Sequence, residues 1–363
     1  MKKLIFSLSG LFSVLMLCFS FSACQLDPLT WTPPSPPAFE GKLSLNQKLQ
    51  SIQKLSLQGW HGAEDIIFDE AGNLYTGVHK GKADFSDGKI LKINSKGEVE
   101  IFYDAGSWVA GLHFDAAGNL LALSHKEGLI KISPDQKVSV LAKHDANGKA
   151  FHIPNGLEIA SNGMVYFTNT ASASPYNIKF GRKLILEARK TGGLYQYDPQ
   201  KQKVRKLIDG LHFGNGIVLS QNEDYLLVVE TTRYRVLKYW LQGAKKGESE
   251  IFIENLPGFP NGISQRPDGS FWLGFTTKRN QALDDIHPKK WMKQIVYALP
   301  EGLQPKQDLF GMVLNLSESG EILQALFDPT GQWVSEAGAV KEYQGKLYLG
   351  GDIVPYISSY SLN

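Results

Sequence analysis

One pattern recurs six times along this chain: a small, acidic or amide residue, an apolar strand, a polar turn and a second apolar strand. The copies occupy residues 63–77, 109–124, 153–169, 214–230, 259–275 and 338–351. Each copy has alternating apolar residues around a polar turn, which predicts a β-hairpin. Further strand pairs are predicted at residues 88–103, 128–142, 192–208 and 234–253. Two hairpins per repeat predict six four-stranded sheets.

Four-stranded sheets repeated around an axis are the blades of a β-propeller. A β-sandwich could also hold six hairpins, but it does not need the same type of residue at the same point of each copy. The sequence therefore predicts an all-β, six-bladed β-propeller over residues 46–363. Insertions at residues 170–191 and 276–311 interrupt the regular spacing, and the second is expected to contain a short amphipathic helix at 291–299. Such insertions either carry function or only cover the mouth of the channel.

Charge and cysteine content exclude two classes of protein. Lys and Arg (38) nearly balance Asp and Glu (36), and no Lys/Arg-rich block occurs, so we expect no nucleic-acid partner. The only two cysteines, Cys18 and Cys24, lie in the first 24 residues. The folded part therefore has no disulfide framework.

The amino terminus has the pattern of an export signal over residues 1–23, with a basic start, an apolar stretch and small residues at its end. Residues 21–24, FSAC, resemble the lipobox of bacterial lipoproteins, in which the Cys carries a diacylglyceryl group. We expect lipidation of Cys24, because cleavage alone would leave a free thiol in an exported protein. Gln25 stands where that family's inner-membrane retention Asp would lie, which suggests an outer-membrane anchor facing the periplasm. The processed chain is formally neutral, so the acyl chains are expected to carry the membrane attachment.

A Pro-rich stretch separates this anchor from the repeats. Residues 27–40, DPLTWTPPSPPAFE, contain five prolines and no apolar periodicity. This composition is typical of a stiff, extended linker. We expect residues 24–45 to hold the propeller away from the bilayer.

Four copies begin their first strand with a side chain that carries oxygen: Glu64, Asn155, Asn215 and Asn261. Equivalent residues of different blades converge on the channel of a propeller. A buried carboxylate there needs a partner, and a set of carboxylate and amide oxygens suits Ca²⁺ better than Zn²⁺. The three Asn-Gly pairs could instead mark tight turns, but each precedes its strand, and the turn of each hairpin has residues of its own. The pattern therefore predicts a central calcium site.

Three segments, at residues 211–241, 255–264 and 346–351, resemble the strictosidine synthase-like proteins, a family that includes the adipocyte plasma membrane-associated proteins. That family is related to the paraoxonases, the gluconolactonases and diisopropyl fluorophosphatase. The resemblance implies a six-bladed propeller around a catalytic Ca²⁺. It implies that the ion is held by a Glu of blade one and by Asn or Asp of blades three, four and five. These positions match Glu64, Asn155, Asn215 and Asn261.

Two positions depart from the family pattern. Asn261 stands where these proteins usually have Asp, so it can offer a carbonyl oxygen but cannot act as a base or nucleophile, and the site loses one negative charge. The catalytic Glu of true strictosidine synthases is replaced by the run from Gly338 to Val340, with Glu336 only nearby. We therefore do not expect Pictet–Spengler condensation.

The resemblance implies a calcium-dependent hydrolase of lactones or aryl esters, acting on a small apolar substrate. In such a hydrolase the ion would polarise the carbonyl and activate water. His125 lies where paraoxonases carry a histidine that is proposed to assist catalysis, and it is the candidate general base. The alternative is a non-enzymatic, membrane-anchored propeller with a structural calcium that binds a partner or ligand.

Overall fold

The computed structural model describes residues 26–81, 85–172 and 178–362. Within these ranges, 24 strands form six four-stranded antiparallel sheets. The predicted all-β, six-bladed β-propeller is therefore confirmed.

Five blades are each built from four consecutive strands, which follow one another from the channel outward. Blades one and two are β2 (Ile66–Phe68), β3 (Leu74–Val78), β4 (Lys89–Ile93) and β5 (Val99–Asp104), then β6 (Val109–Phe114), β7 (Leu120–Ser124), β8 (Gly128–Ile132) and β9 (Val138–Ala142). Blades three and four are β10 (Pro154–Ile159), β11 (Val165–Asn169), β12 (Gly192–Asp198) and β13 (Lys203–Leu211), then β14 (Gly214–Leu219), β15 (Tyr225–Glu230), β16 (Arg235–Trp240) and β17 (Ser249–Ile253). Blade five is β18 (Gly258–Gln265), β19 (Phe271–Lys278), β20 (Gly311–Leu316) and β21 (Ile322–Asp328).

The sixth blade combines both ends of the described chain. Its inner strands are β22 (Val340–Tyr343), β23 (Lys346–Leu349) and β24 (Tyr356–Ser361), and its outermost strand is β1 (Ile52–Ser56). Strand β1 pairs with β24 from Ile52 opposite Tyr360 to Ser56 opposite Tyr356. The pairing of first and last strands closes the ring and removes the free edges that an open array of blades would leave.

The hydrophobic core lies between neighbouring blades. Leu123 of blade two packs with Phe167 of blade three, and Trp272 of blade five packs with Leu347 of blade six. Each blade therefore buries its apolar side chains against the next one, and the ring is stabilised all the way round.

Three helices lie in the two insertions: α1 (Ile178–Glu187) in the first, and α2 (Gln281–Ile286) and α3 (Lys290–Ala298) in the second. The helix expected at 291–299 is confirmed within one residue at each end. Both insertions follow the second strand of a blade, which ends at the edge where the antiparallel first strand begins. The helices therefore lie on the face where the innermost strands start, which we call the mouth face.

The Pro-rich stretch packs along the mouth face instead of extending away from it. Leu26 contacts Leu186 of α1 and Ile286 of α2, and Trp31 lies 5.9 Å from the ring of Tyr234. Apolar side chains between the prolines give this segment a surface to bury, which composition alone did not reveal. We call residues 26–40 the strap. The expected export signal at residues 1–23 and the lipidation site Cys24 lie outside the described residues.

In the part of the chain that the structure describes, no helix combines the length and the apolar character needed to cross a membrane.

Candidate metal centre at the channel mouth

The three asparagines of the predicted calcium site lie in β-bulges at the starts of their strands. The ladder register shifts between Pro154 and Leu157, between Gly214 and Ile217, and between Pro260 and Ile263. Each shift contains one Asn-Gly pair. A bulge redirects the side chains of the bulged strand, and here it lies where the strand enters the channel.

The glycine of each pair is required by the approach of the next blade. A Cβ on Gly156 would lie 2.7 Å from the backbone nitrogen of Ile217. A Cβ on Gly216 would lie 2.7 Å from the backbone carbonyl oxygen of Asn261. A Cβ on Gly262 would lie 2.4 Å from the carbonyl oxygen of Gly338. None of the three glycines has the positive φ of a turn glycine. The pairs therefore mark close packing around the channel and not tight turns.

Glu64, Asn155 and Asn261 line one cavity in the channel, and Asn215 directly precedes the lining residue Gly216. We call Glu64 and the three asparagines the ring residues. Asn155 Nδ2 donates to Glu64 Oε1 over 3.4 Å. Gly338 of blade six has no side chain, and a Cβ there would lie 3.0 Å from Asn261 Nδ2 and 3.6 Å from Glu64 Oε2. Gly338 thus leaves a gap bordered by side-chain atoms of blades one and five.

Two threonines fix the orientation of the amide groups. Asn215 Nδ2 donates to Thr231 Oγ1 (3.1 Å), and Asn261 Nδ2 donates to Thr276 Oγ1 (3.2 Å). When both amide nitrogens are engaged in this way, the carbonyl oxygens remain as acceptors. Asn215 Oδ1 and Glu64 Oε2 are buried and have no hydrogen-bond partner within the described ranges. Buried oxygens without donors fit a hard cation.

The set has an unusual composition for a metal site. It combines one carboxylate with three amides, and none of the described residues form a group of three or more His, Cys, Asp or Glu side chains suited to a metal ion. A cation at this point would therefore depend on neutral carbonyl oxygens for most of its protein ligands.

Two further carboxyl groups lie beside Glu64. Burial raises the pKa of Glu64, and the neighbouring carboxyls of Asp352 and Glu336 raise it further. Burial and Asp352 likewise raise the pKa of Glu336, which accepts the backbone N–H of Asp352. Asp352 Oδ1 is also buried, and no donor among the described residues reaches it. The three carboxyl groups do not form a set suited to a metal ion by themselves, but they make the surroundings of Glu64 acidic.

The sequence did not predict Asp352 as part of the site. Glu336 was noted only because it lies near the position where true strictosidine synthases have their catalytic Glu. Asp352 directly follows the second strand of blade six and its two glycines, at the edge where the ring residues lie. The position of this strand end in the repeat could have identified it. With both acids present, the surroundings of the ring are more acidic than Glu64 alone predicts.

His125, the candidate general base, follows β7 on the mouth face and is buried. Its ring packs against Trp108, with the ring centroids 5.1 Å apart. Burial and the nearby His79 lower the pKa of His125 to about 3, while an interaction with the backbone of Pro154 opposes this shift. The imidazole is therefore neutral at pH 7 and lies next to the residue that precedes Asn155.

Deeper in the channel than the ring residues lies a second group of polar residues. A cavity of about 50 Å³ is lined by ring residues and by Asp65, His113, Glu158 and Lys341. Burial raises the pKa of Glu158 to about 8 and that of Asp65 to about 6. The cavity has room for several water molecules.

Comparisons of the sequence with family profiles and with known proteins identify the same group of relatives. A family profile described as strictosidine synthase matches residues 155–244, and one described as strictosidine synthase-like, N-terminal, matches residues 41–82. The chain is 30% identical to the adipocyte plasma membrane-associated protein of Bos taurus over 355 residues, which span 92% of this chain and 84% of the bovine protein. It is also 30% identical to the strictosidine synthase-like 10 protein of Arabidopsis thaliana, over 90% of this chain and 92% of that protein.

Solved structures confirm the architecture. A gluconolactonase from Xanthomonas campestris superposes with a TM-score of 0.61 at 18% identity, over 93% of this chain and 98% of the other. Regucalcin from Agrobacterium tumefaciens, a calcium-binding protein, superposes with a TM-score of 0.59 at 13% identity, over 85% of this chain and 93% of the other. At these identities the likeness establishes the shared propeller fold.

Proposed function

Because the chain belongs to the strictosidine synthase-like family, we propose that it uses the channel site of this fold as a calcium-dependent hydrolase of lactones or aryl esters. Glu64, Asn155, Asn215 and Asn261 would hold the ion. The observation that carries the proposal is the pair of buried oxygens, Glu64 Oε2 and Asn215 Oδ1, that lack a donor among the described residues. The gluconolactonase and regucalcin folds support it as analogies.

The acidic surroundings support a cation in the ring. Glu64, Glu336 and Asp352 are close enough for burial and mutual repulsion to raise the pKa values of the two glutamates. A divalent ion would relieve this repulsion and favour the ionised form of Glu64. Asp352 and Glu336 would also offset the charge that Asn261 does not supply.

When bound, calcium would polarise the ester carbonyl and stabilise the oxyanion that develops on it. The chain's own residues would position the reacting groups. The bulges fix where the asparagine side chains enter the channel, and Thr231 and Thr276 hold two of the amides. The strap and helices lie over the same face and would limit the access of bulk water.

Two residues are candidates for the general base. His125 is neutral at pH 7, but a pKa of about 3 makes it a weak base. Glu336 is buried beside Glu64 with a raised pKa, and a carboxyl in that state holds a proton more strongly. Replacing each residue separately, with His125→Gln and Glu336→Gln, shows which one limits the rate.

The test is hydrolysis of lactones and aryl esters by the full chain with and without a calcium chelator. The proposal predicts turnover that is lost with chelator, restored by Ca²⁺ and lost in Glu64→Gln. Glu318→Gln, at an exposed glutamate in a blade-five turn, is the matched control. Turnover that is unaffected by chelator and by Glu64→Gln would contradict the calcium mechanism. Calcium binding without turnover would favour a non-enzymatic propeller with a structural calcium.

We further propose that the chain is exported and anchored through Cys24 in the outer membrane, facing the periplasm. The lipobox-like sequence before Cys24 and the adjacent Gln25 support this. Metabolic labelling with a radioactive fatty acid should mark the wild-type chain and not Cys24→Ser. Equal labelling of both chains would contradict the proposal.

A further inference from the structure

Helix α3 exposes an apolar stripe. Trp291 and Ile295, four residues apart, have 61% and 44% of their surface exposed. The rest of the helix is packed: Met292 and Val296 contact the cluster around Leu26, and Lys293 is buried. The exposed stripe is therefore not the face that binds α3 to the propeller.

Two more exposed apolar side chains belong to segments that bond to α3 or follow it. Leu303, 69% exposed, precedes Gln304, which accepts a hydrogen bond from Arg182 of α1. Leu29 of the strap is also exposed, and its backbone bonds to Glu187 and to Lys293 of α3. We call Leu29, Trp291, Ile295 and Leu303 the cap patch. Several large exposed apolar side chains on one face of a protein favour an interaction site there.

Positive charge is concentrated in the two insertions that form the mouth face. The two insertions, residues 170–191 and 276–311, contain 11 Lys and Arg but only five Asp and Glu, whereas the remainder of the chain contains 27 and 31. Lys179, Lys289 and Lys306 are exposed in these insertions. The formal neutrality of the processed chain, from which we expected little attraction to anionic lipid, hides this uneven distribution.

The chain outside the described residues leaves from the same place. Leu26, where the described chain begins, is buried between α1 and α2, and Asp27 is bonded to Arg189 and Lys290. Residues 1–25, with their basic start, apolar stretch and Cys24, therefore continue from the edge of the cap patch. Any attachment of those residues to a membrane would hold this face close to the bilayer.

We propose that the cap patch docks on the surface of a bilayer rich in anionic lipid. Trp291, Ile295 and Leu303 would enter the interface, and the surrounding lysines would face the headgroups. An amphipathic helix with an exposed Trp and flanking lysines has the composition of an interfacial helix. The docked face is the mouth face, so an apolar ligand in the membrane would meet the channel mouth directly.

The test places a fluorescent label on single cysteines of the full chain, in a Cys18→Ser, Cys24→Ser background. Ile295→Cys labels the cap patch. Ile251→Cys is the matched control, because Ile251 is a 48% exposed isoleucine on the outer strand β17 of blade four. Both chains are mixed with phosphatidylcholine vesicles that contain about 30% phosphatidylglycerol. An environment-sensitive label reports whether each position enters an apolar medium.

We expect emission at position 295 to rise about twofold and shift to the blue, and emission at position 251 to stay as in water. Added Lys179→Glu and Lys289→Glu, high salt, or vesicles of phosphatidylcholine alone should each reduce the response. An aqueous label at position 295 on vesicle-bound chain would overturn the proposal. A response at position 295 that needs no vesicles and grows with protein concentration would also overturn it, since a second copy of the chain would then cover the patch.

Discussion

Gly156 of blade three lies so close to Asn215 of blade four that a Cβ on the glycine would be 2.9 Å from the backbone carbonyl oxygen of the asparagine. Thr168 bonds across the same contact, accepting the N–H of Gly156 and donating to the carbonyl of Asn215. Position 156 must therefore be glycine because the backbone of Asn215 in the next blade occupies the space of a side chain. This contact explains why Asn and Gly recur together at the channel.

Filling the gap at Gly338 should weaken calcium binding. In Gly338→Ala the new Cβ lies 3.0 Å from Asn261 Nδ2, so the amide group must shift by a few tenths of an ångström. We expect the dissociation constant for Ca²⁺ to rise about tenfold, measured by calorimetry. Gly302→Ala is the matched control, because a Cβ at Gly302 meets no atom within 4 Å. Equal affinities in the two variants would show that Gly338 does not border the ion.

Removing a threonine hydroxyl should weaken calcium binding without changing a ligand. Thr276→Val leaves Asn261 Nδ2 without its acceptor, so the amide is free to rotate. Loss of such an orienting group costs about tenfold in metal affinity. Thr276→Ser keeps the hydroxyl and should restore wild-type affinity. If Val and Ser at this position bind calcium equally well, the hydroxyl does not orient the amide.

The channel carboxyl of Glu158 should make stability depend on pH. Its pKa is about 8 in the folded chain because of burial, and lower when the chain is unfolded. Between these values the folded state binds more protons than the unfolded state, so stability falls as pH rises from about 5 to 8. In Glu158→Gln this fall should be smaller, as measured by melting temperature across that range.

Glu318 is exposed and lies in a surface turn, so Glu318→Gln is the control for the measurement of melting temperature against pH. Its curve should follow that of the wild type. A Glu158→Gln curve parallel to that of the wild type would mean that Glu158 titrates normally.

Arg279 should be the main polar attachment between the strap and the propeller. Its buried guanidinium donates to Asp284 (3.0 Å), to Asn255 (2.6 Å) and to the carbonyl of Pro34 in the strap (2.6 Å). Arg279→Met leaves the buried Asp284 without this partner and should cost about 3–5 kcal/mol in unfolding free energy. The neighbouring Lys278, more exposed and paired only loosely with Asp308, is the control. Urea denaturation that gives equal losses for Lys278→Met and Arg279→Met would refute this role.

The repeat predicted the blades because each hairpin carries its own alternation and its own turn. It did not predict the closing pair of β1 and β24, because residues 52–56 lie outside every copy of the repeat and meet their partner only when the ring closes. Strand pairing between the two ends of a chain is a long-range contact, and no local sequence pattern predicts it.

The ring residues were predictable for the same reason as the blades: equivalent positions in a repeat converge on the axis. The surroundings of the ring were harder to predict. Asp352 lies in a connection and meets Glu64 through the geometry of blade six, and the strap packs because Leu26 and Trp31 find apolar surface on the insertions. Contacts of this kind depend on the tertiary fold, so residue patterns do not predict them.

The most direct test of the central claim is a calcium titration of the full chain by calorimetry, with Glu64→Gln beside the wild type. Glu64 is buried with a raised pKa, so the neutral Gln should preserve the metal-free fold. We predict saturation at about one Ca²⁺ per wild-type chain below about 1 mM, and no saturable binding by the variant. Absence of binding by the wild type, or equal binding by both chains, would contradict the assignment of Glu64, Asn155, Asn215 and Asn261 as a calcium site.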